Sequence, residues 1–211
     1  MTAGAGPSGA RWLLGLCIAV FTALAIDVTR QGPVARVDPR IAHWSYRHVT
    51  GVAHDATHGV TQLGDAWLLA VFVLLAVSWL IRAGRRADAI LLTLSAVTAT
   101  VLTTGLKEAF HRHRPVYVDP VHGPKSFSFP SGHASGAYAV YVLLAIVLTG
   151  GLTRRARSWI VAAALALATV VAASRVLLPV HFLSDVVAGT AVGLSVVTSA
   201  LLVRAAYGRR P

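Results

Sequence analysis

The chain has 211 residues, 55% of them hydrophobic and only 13% charged, with a mean hydropathy of +0.66 and a formal net charge of +11. Such a balance excludes an ordinary soluble domain and describes a membrane protein. The positive charge does not point to a nucleic-acid partner, because the basic residues are dispersed over short segments and lack the interleaved aromatics of an RNA-binding surface.

A bilayer span needs about 20 mostly apolar residues, and runs near 12 to 28, 66 to 82, 88 to 106, 134 to 151, 158 to 175 and 182 to 203 qualify. They predict an all-α polytopic bundle of six transmembrane helices in a single domain over 1 to 211, since no composition shift marks a second one. The first run holds the lone cysteine, Cys17, which leaves no intrachain disulfide. Arg11 before it and Ala23-Leu24-Ala25 within it imitate a cleaved signal peptide, but keeping it as a span returns the last helix to the side of the first.

Between the first two runs, residues 29 to 65 mix Trp44 and Tyr46 with Arg40, Arg47 and several histidines, the pattern of an interfacial helix lying on the bilayer near the site, where it would help admit a lipid. His54 and His58 have the i, i+4 spacing of metal ligands on a helix, but no third ligand is evident, so no metal is expected. Arg82, Arg85 and Arg86 crowd the next connection, and Arg154, Arg155 and Arg157 crowd the one between the fourth and fifth runs, as in cytoplasmic loops. On the sixth run, Gly189 and Gly193 permit close helix packing within the bundle.

Parity then places the chemistry. Residues 107 to 115 close the third run and 130 to 133 open the fourth, so both belong to one loop. Arg175 closes the fifth and His181 opens the sixth, two crossings later. Lys107, Arg114, Ser131, His133, Arg175, His181 and Asp185 therefore share one membrane face.

Asp185 enters an apolar helix, where an ionisable group needs a partner. His181, four residues earlier, would share its helical face and be oriented by the carboxylate as a nucleophile or base; a purely structural His–Asp cap is the alternative. In FPSGHASG, residues 129 to 136, Ser131 is a good N-cap, Gly132 lets backbone approach a ligand, and the helix amides make an anion site. Lys107, Arg114 and Arg175 add three cations, which suit a phosphate, and His133 stands at its edge as a proton donor. A plain helix cap would also account for these four residues alone.

KEAFHRHRP at 107 to 115, PSGH at 130 to 133 and SRVLLPVHFLSD at 174 to 185 resemble the three signature motifs of the type 2 phosphatidic acid phosphatases, or lipid phosphate phosphatases: K-x6-R-P, P-S-G-H and S-R-x5-H-x3-D. The similarity covers about residues 63 to 203. It implies His181 as nucleophile, Asp185 as its orienting partner, His133 as general acid, and Lys107, Arg114, Ser131, Gly132 and Arg175 as phosphate ligands, with no cofactor or metal. The expected activity is hydrolysis of the terminal phosphate of a lipid phosphate or diphosphate through a phosphohistidine. Undecaprenyl diphosphate, phosphatidate and phosphatidylglycerol phosphate share the reacting group, and resemblance to small bacterial members of the family, with a Val/Ala/Arg-rich composition, leans toward the first. A lipid-linked phosphotransferase or a silent lipid-phosphate carrier are the alternatives. Expected partners are the bilayer and the lipid substrate. The protein is expected in the cell membrane with its site extracytoplasmic and both termini cytoplasmic; oligomeric state is left open.

Overall fold

Each apolar run forms a helix because a backbone in hydrocarbon must satisfy its hydrogen bonds within its own segment. The computed structural model describes residues 7–117 and 126–207, and every regular element among them is helical. In chain order these are α1 (Pro7–Thr29), α2 (Pro33–His48), α3 (Gly51–Thr61), a single 3-10 turn (Gln62–Gly64), α4 (Ala66–Arg82), α5 (Arg86–Phe110), α6 (Gly132–Ala137), a π turn (Tyr138–Val142), α7 (Leu143–Leu148), α8 (Arg154–Leu177) and α9 (Leu183–Tyr207).

Among the described residues, four helices are long and apolar enough to cross a membrane: Ser8–Thr29, Arg86–Phe110, Arg154–Leu177 and Leu183–Ala206. Gly51–Gly64 and Ala66–Arg82 qualify together across a bend of 45°, and the continuous helix Gly132–Leu148 is apolar but shorter. The six expected runs are thus all helices of a multi-pass membrane protein, but they are not six equal spans. The fourth is short because Ser131 starts it late, with its side chain accepting from the amide of Ala134. Seventeen helical residues reach only about 25 Å, against about 30 Å of hydrocarbon.

Segment 29 to 65 is more than a helix on the bilayer. In the last turn of α1, Asp27 accepts hydrogen bonds from the Val34 and Ala35 amides at 3.3 and 2.7 Å, which opens α2 immediately after α1. The buried stripe of α2 is Ala35, Asp38, Ala42 and Ser45, small enough to lie close over α8 and α9. Its other face leaves Trp44 and Tyr46 exposed.

The bundle centre is apolar: Leu80, Leu92, Leu143, Val147 and Val171 are fully buried. α1 runs along α9, and α9 runs along α6. That second contact depends on two glycines, since a Cβ at Gly189 would stand 2.4 Å from the Ser131 carbonyl oxygen and one at Gly193 2.6 Å from that of Ser135. Gly189 and Gly193 therefore serve packing inside the bundle. At the far end, Arg85 pairs with Asp88 at 2.6 Å and donates to the Val147 carbonyl at 2.7 Å, while Arg204 reaches Asp88 at 3.1 Å. The arginine turns and the end of α9 thus lie together, opposite the motif residues.

Candidate active site

The three cations arrive from three elements. Lys107, buried in the last turn of α5, donates through Nζ to the Phe127 carbonyl oxygen. α5 stops just beyond it, where His111 takes a left-handed conformation (φ 47°) and its amide returns to the Lys107 carbonyl. Arg114 follows in the loop; its Nε donates to Ser126 O at 2.8 Å and its NH1 to Val180 O at 2.8 Å. Burial lowers the pKa of this guanidinium, and the charge of Asp185 works against that shift. Arg175 occupies the last turn of α8, 7% exposed, and its Nε is buried without a hydrogen-bond partner.

Ser131 caps α6 and donates its own amide to the Asp185 carbonyl at 2.9 Å, so the second and third motifs are joined through backbone. Gly132 faces the Lys107 stem, with Cε 3.9 Å from where a Cβ would sit. His181 is fully buried in the turn before α9, and its Nε2 stands 3.0 Å from Arg114 NH1. Burial holds its pKa well below the ordinary imidazole value, and Arg114, Lys107, Arg175 and His133 push it in the same direction. A neutral ring with its lone pair on Nε2 fits this setting.

The His181–Asp185 pair differs from the expectation in one respect. α9 begins at Leu183, so His181 does not share a helical face with Asp185. The capping turn brings them together instead, with His181 Nδ1 3.4 Å from Asp185 Oδ2 and no hydrogen-bond partner for that nitrogen. Asp185 Oδ2 accepts from the Phe182 amide at 2.9 Å, so this carboxylate also caps α9, in keeping with the positive end of the helix dipole. His133 lies across the site, its Nε2 3.0 Å from Asp65 Oδ1. All eight expected residues therefore meet at one end of the bundle.

A family model described as the PAP2 superfamily matches residues 88–209. The chain belongs to that superfamily. It is 34% identical over 143 residues to phosphatidylglycerophosphatase B of Bacillus subtilis (strain 168), covering 67% of this chain and 70% of that protein. Its structure is similar to a crystal structure of a transmembrane PAP2 type phosphatidylglycerolphosphate phosphatase from Bacillus subtilis, with a TM-score of 0.85 and 27% identity over 94% of this chain and 98% of the other. Aquifex aeolicus LpxE shares the fold, with a TM-score of 0.61 and 22% identity over 78% and 94% of the two chains. The protein is a membrane phosphatase of the PAP2 type.

Several residues of this PAP2 site escape a reading of the motifs. Arg112 lies inside the first motif at a position the motif does not specify, 13% exposed in its side chain. Its NH1 reaches Asp185 Oδ1 at 2.5 Å and Ser184 Oγ at 2.7 Å, its NH2 reaches Asp38 Oδ2 at 2.8 Å, and its Cζ stands 4.4 Å from the centre of the Phe182 ring. Asp38, 1% exposed, also accepts from the Ser184 amide at 3.1 Å and from its hydroxyl. The available signal was an acid among Ala35, Ala42 and Ser45 on one stripe of a helix. Other histidines stay peripheral: the rings of His111 and His113 meet Phe127 edge-on, and His54 and His58 lie 6.3 Å apart on exposed α3. No group of three or more His, Cys, Asp or Glu is placed to hold a metal among the described residues.

A cavity of about 560 Å³ opens beside the site between α4 and α5. Lys107, Gly132 and His133 line its polar end, and Leu69, Val73, Val97 and Val101 line its length.

Proposed function

We propose that this PAP2 enzyme removes the terminal phosphate of a membrane lipid phosphate or diphosphate through a phosphohistidine on His181. The observation that carries the reading is the joining of two environments. Three cations and two histidines surround one point, and an apolar cavity leads away from it between two membrane helices. A phosphate headgroup fits the first and an acyl or prenyl chain fits the second.

In the proposed first step, the His181 Nε2 lone pair forms a bond to phosphorus. The phosphorus–oxygen bond to the lipid breaks, and its electron pair leaves with the lipid oxygen as that oxygen takes a proton from His133. Lys107, Arg114 and Arg175, with the amides opening α6, neutralise charge on the equatorial oxygens. The unpartnered buried Arg175 Nε is a donor available for this. Water then attacks the phosphohistidine, its proton passes to His133, and the bond pair returns to His181. Asp185 holds the imidazole in place.

Among substrates, likeness to the Bacillus subtilis phosphatase supports phosphatidylglycerol phosphate as the first to test, ahead of the prenyl diphosphate expected from the sequence. We also place the site on the extracytoplasmic face. By the order of the apolar runs in the sequence, ten of the nineteen Lys and Arg residues fall in the segments assigned to the opposite side; Lys125, Arg209 and Arg210 are outside the described residues. Of the nine on the site's side, Lys107, Arg112, Arg114 and Arg175 are engaged at the site itself. The remaining asymmetry favours cytoplasmic arginine turns.

The test is phosphate release by purified protein from phosphatidylglycerol phosphate, phosphatidate and undecaprenyl diphosphate, with and without excess chelator and vanadate. Turnover of at least one lipid, insensitive to chelator and blocked by vanadate, is expected. Turnover of none, or loss in chelator reversed by a divalent ion, would overturn the reading.

A further inference from the structure

The corner between α3 and α4, Thr-Gln-Leu-Gly-Asp at 61 to 65, lies outside the family-model match and outside all three motifs. It nevertheless supports the site at four points. Thr61 Oγ1 accepts from Arg175 NH1 at 2.8 Å. The Leu63 carbonyl accepts from the Tyr141 hydroxyl at 2.5 Å, which ties the corner to the π turn. A Cβ on Gly64 would stand 2.8 Å from His133 Cδ2 and 2.5 Å from Val171 Cγ1, so glycine lets the backbone close on the His133 ring. Asp65 Oδ1 lies 3.0 Å from His133 Nε2.

The conformation of Asp65 makes the last contact informative. Its backbone is extended (φ −65°, ψ 137°) at the N-cap of α4, where an aspartate ordinarily accepts from the amides of the first turn. Here the side chain makes no cap bond. It reaches instead across 68 residues of sequence to the imidazole. Arg175 from α8 and Arg114 from the loop after α5 face that ring with positive charge, His181 lies close by in the turn before α9, and Lys107 on α5 lines the same cavity.

We propose that Asp65 is the positioning residue of His133, and that the corner at 61 to 65 is a fourth element of the active site. The ring enters the step as an imidazolium: the carboxylate holds Nε2–H, its charge opposes the lowering of the ring's pKa by burial, Arg175 and Arg114, and the second proton sits on Nδ1, the nitrogen presented to the lipid phosphate. The proposal rests on the reading of His133 as the group that protonates the leaving oxygen. Asp65 gains and loses no proton in that step. The proton moves from Nδ1 to the lipid oxygen, and in the second step from water back to Nδ1, while Nε2–H stays on the carboxylate.

The test compares purified Asp65→Asn, Asp65→Glu, His133→Ala and the Asp65→Asn/His133→Ala pair on two probes, short-chain phosphatidate with its poor leaving alcohol and p-nitrophenyl phosphate with a good one. Asp55→Asn, on exposed α3, is the control. Because general acid catalysis contributes about 10² to 10⁴ in rate, Asp65→Asn is expected to lower kcat on phosphatidate about 10- to 100-fold, to leave KM nearly unchanged, and to affect the aryl phosphate much less. It should add nothing in the His133→Ala background, and Asp65→Glu should restore part of the rate. Equal losses on both probes, or a full additional loss on top of His133→Ala, would make Asp65 a structural brace and overturn the proposal. If His133→Ala shows no dependence on the leaving group, the proton-donor reading falls and the proposal falls with it. Should Asp65→Asn fail to fold, Asp65→Glu, which keeps the charge but displaces the ring, carries the same comparison.

Discussion

Arg112 NH1 lies 2.5 Å from Asp185 Oδ1, and the carboxylate nearest the buried His181 is thereby tied to an arginine that also holds Asp38. Both carboxylates are essentially inaccessible, at 0% and 1% exposure. Removing one partner from such a group strands a buried charge, at a cost of about 3–5 kcal/mol. Arg112→Gln is therefore expected to lower the melting temperature and phosphatase activity together. Arg112→Lys, which cannot hold two carboxylates in a planar fork, should fall between it and the parent. Thermal melting in detergent beside activity provides the check, and a parent-like Arg112→Gln would contradict it.

The chemistry at the histidines separates by intermediate. His181→Ala should abolish turnover and any acid-labile phosphoenzyme, whereas His133→Ala should slow formation of the phosphoenzyme most for poor leaving groups. Rapid-quench labelling with a ³²P-lipid distinguishes them. A phosphorylated His181→Ala protein would sink the mechanism.

The environment of His181 sets a pH dependence. Burial and four positive or protonatable neighbours hold its pKa well below the ordinary value, so the neutral form, the one the proposed mechanism needs, persists as pH falls. The acid limb of kcat/KM attributable to it should therefore lie below about 6.5. The same shift has a stability consequence of definite sign. The unfolded chain takes up a proton near 6.5 that the folded site refuses, so this group's contribution is present above that pH and is lost as pH falls toward the lowered folded value. An acid limb at or above the ordinary imidazole pKa would show that the ring is not shielded as described.

Gly189 and Gly193 make the α6–α9 contact, and their substitution should differ in kind. A methyl group at either meets backbone carbonyl at 2.4 or 2.6 Å, and overpacking of this sort costs about 1–3 kcal/mol. Both alanine variants should melt earlier. Gly189→Ala should also lose activity at temperatures where it remains folded, because the carbonyl it displaces belongs to Ser131, whose amide binds the Asp185 carbonyl. Gly15→Ala, with nothing within 4 Å, is the neutral control.

Orientation can be read by labelling. In a Cys17→Ser background, a cysteine at Val52, 85% exposed on α3, should react with an impermeant thiol reagent in intact cells. One at Leu152, 51% exposed between α7 and α8, should react only after permeabilisation. Gly123, in the sequence between the third and fourth runs, lies outside the described residues, and Gly84, with φ at 73°, resists a side chain. The reverse pattern would move the site to the cytoplasm.

Much of this protein was legible in one dimension. Helices in hydrocarbon announce themselves by unbroken apolar runs, and counting crossings was enough to bring Lys107, Arg114, Ser131, His133, Arg175, His181 and Asp185 to one face. What could not be read were contacts that obey no local period. Arg112 meets Asp185 across 73 residues and Asp38 across 74, and Asp65 meets His133 across 68. Those distances depend on how closely the small stripe of α2 settles over α8 and α9, and on the 45° bend that turns the 61-to-65 corner onto the site. Even the closeness of His181 and Asp185, expected from a shared helical face, arises from a capping turn instead. Motifs and hydropathy determine which groups gather at one end of the bundle. Packing of the segments between the motifs decides which carboxylates hold those groups in place, because a buried charge takes whatever partner the tertiary fold delivers to it.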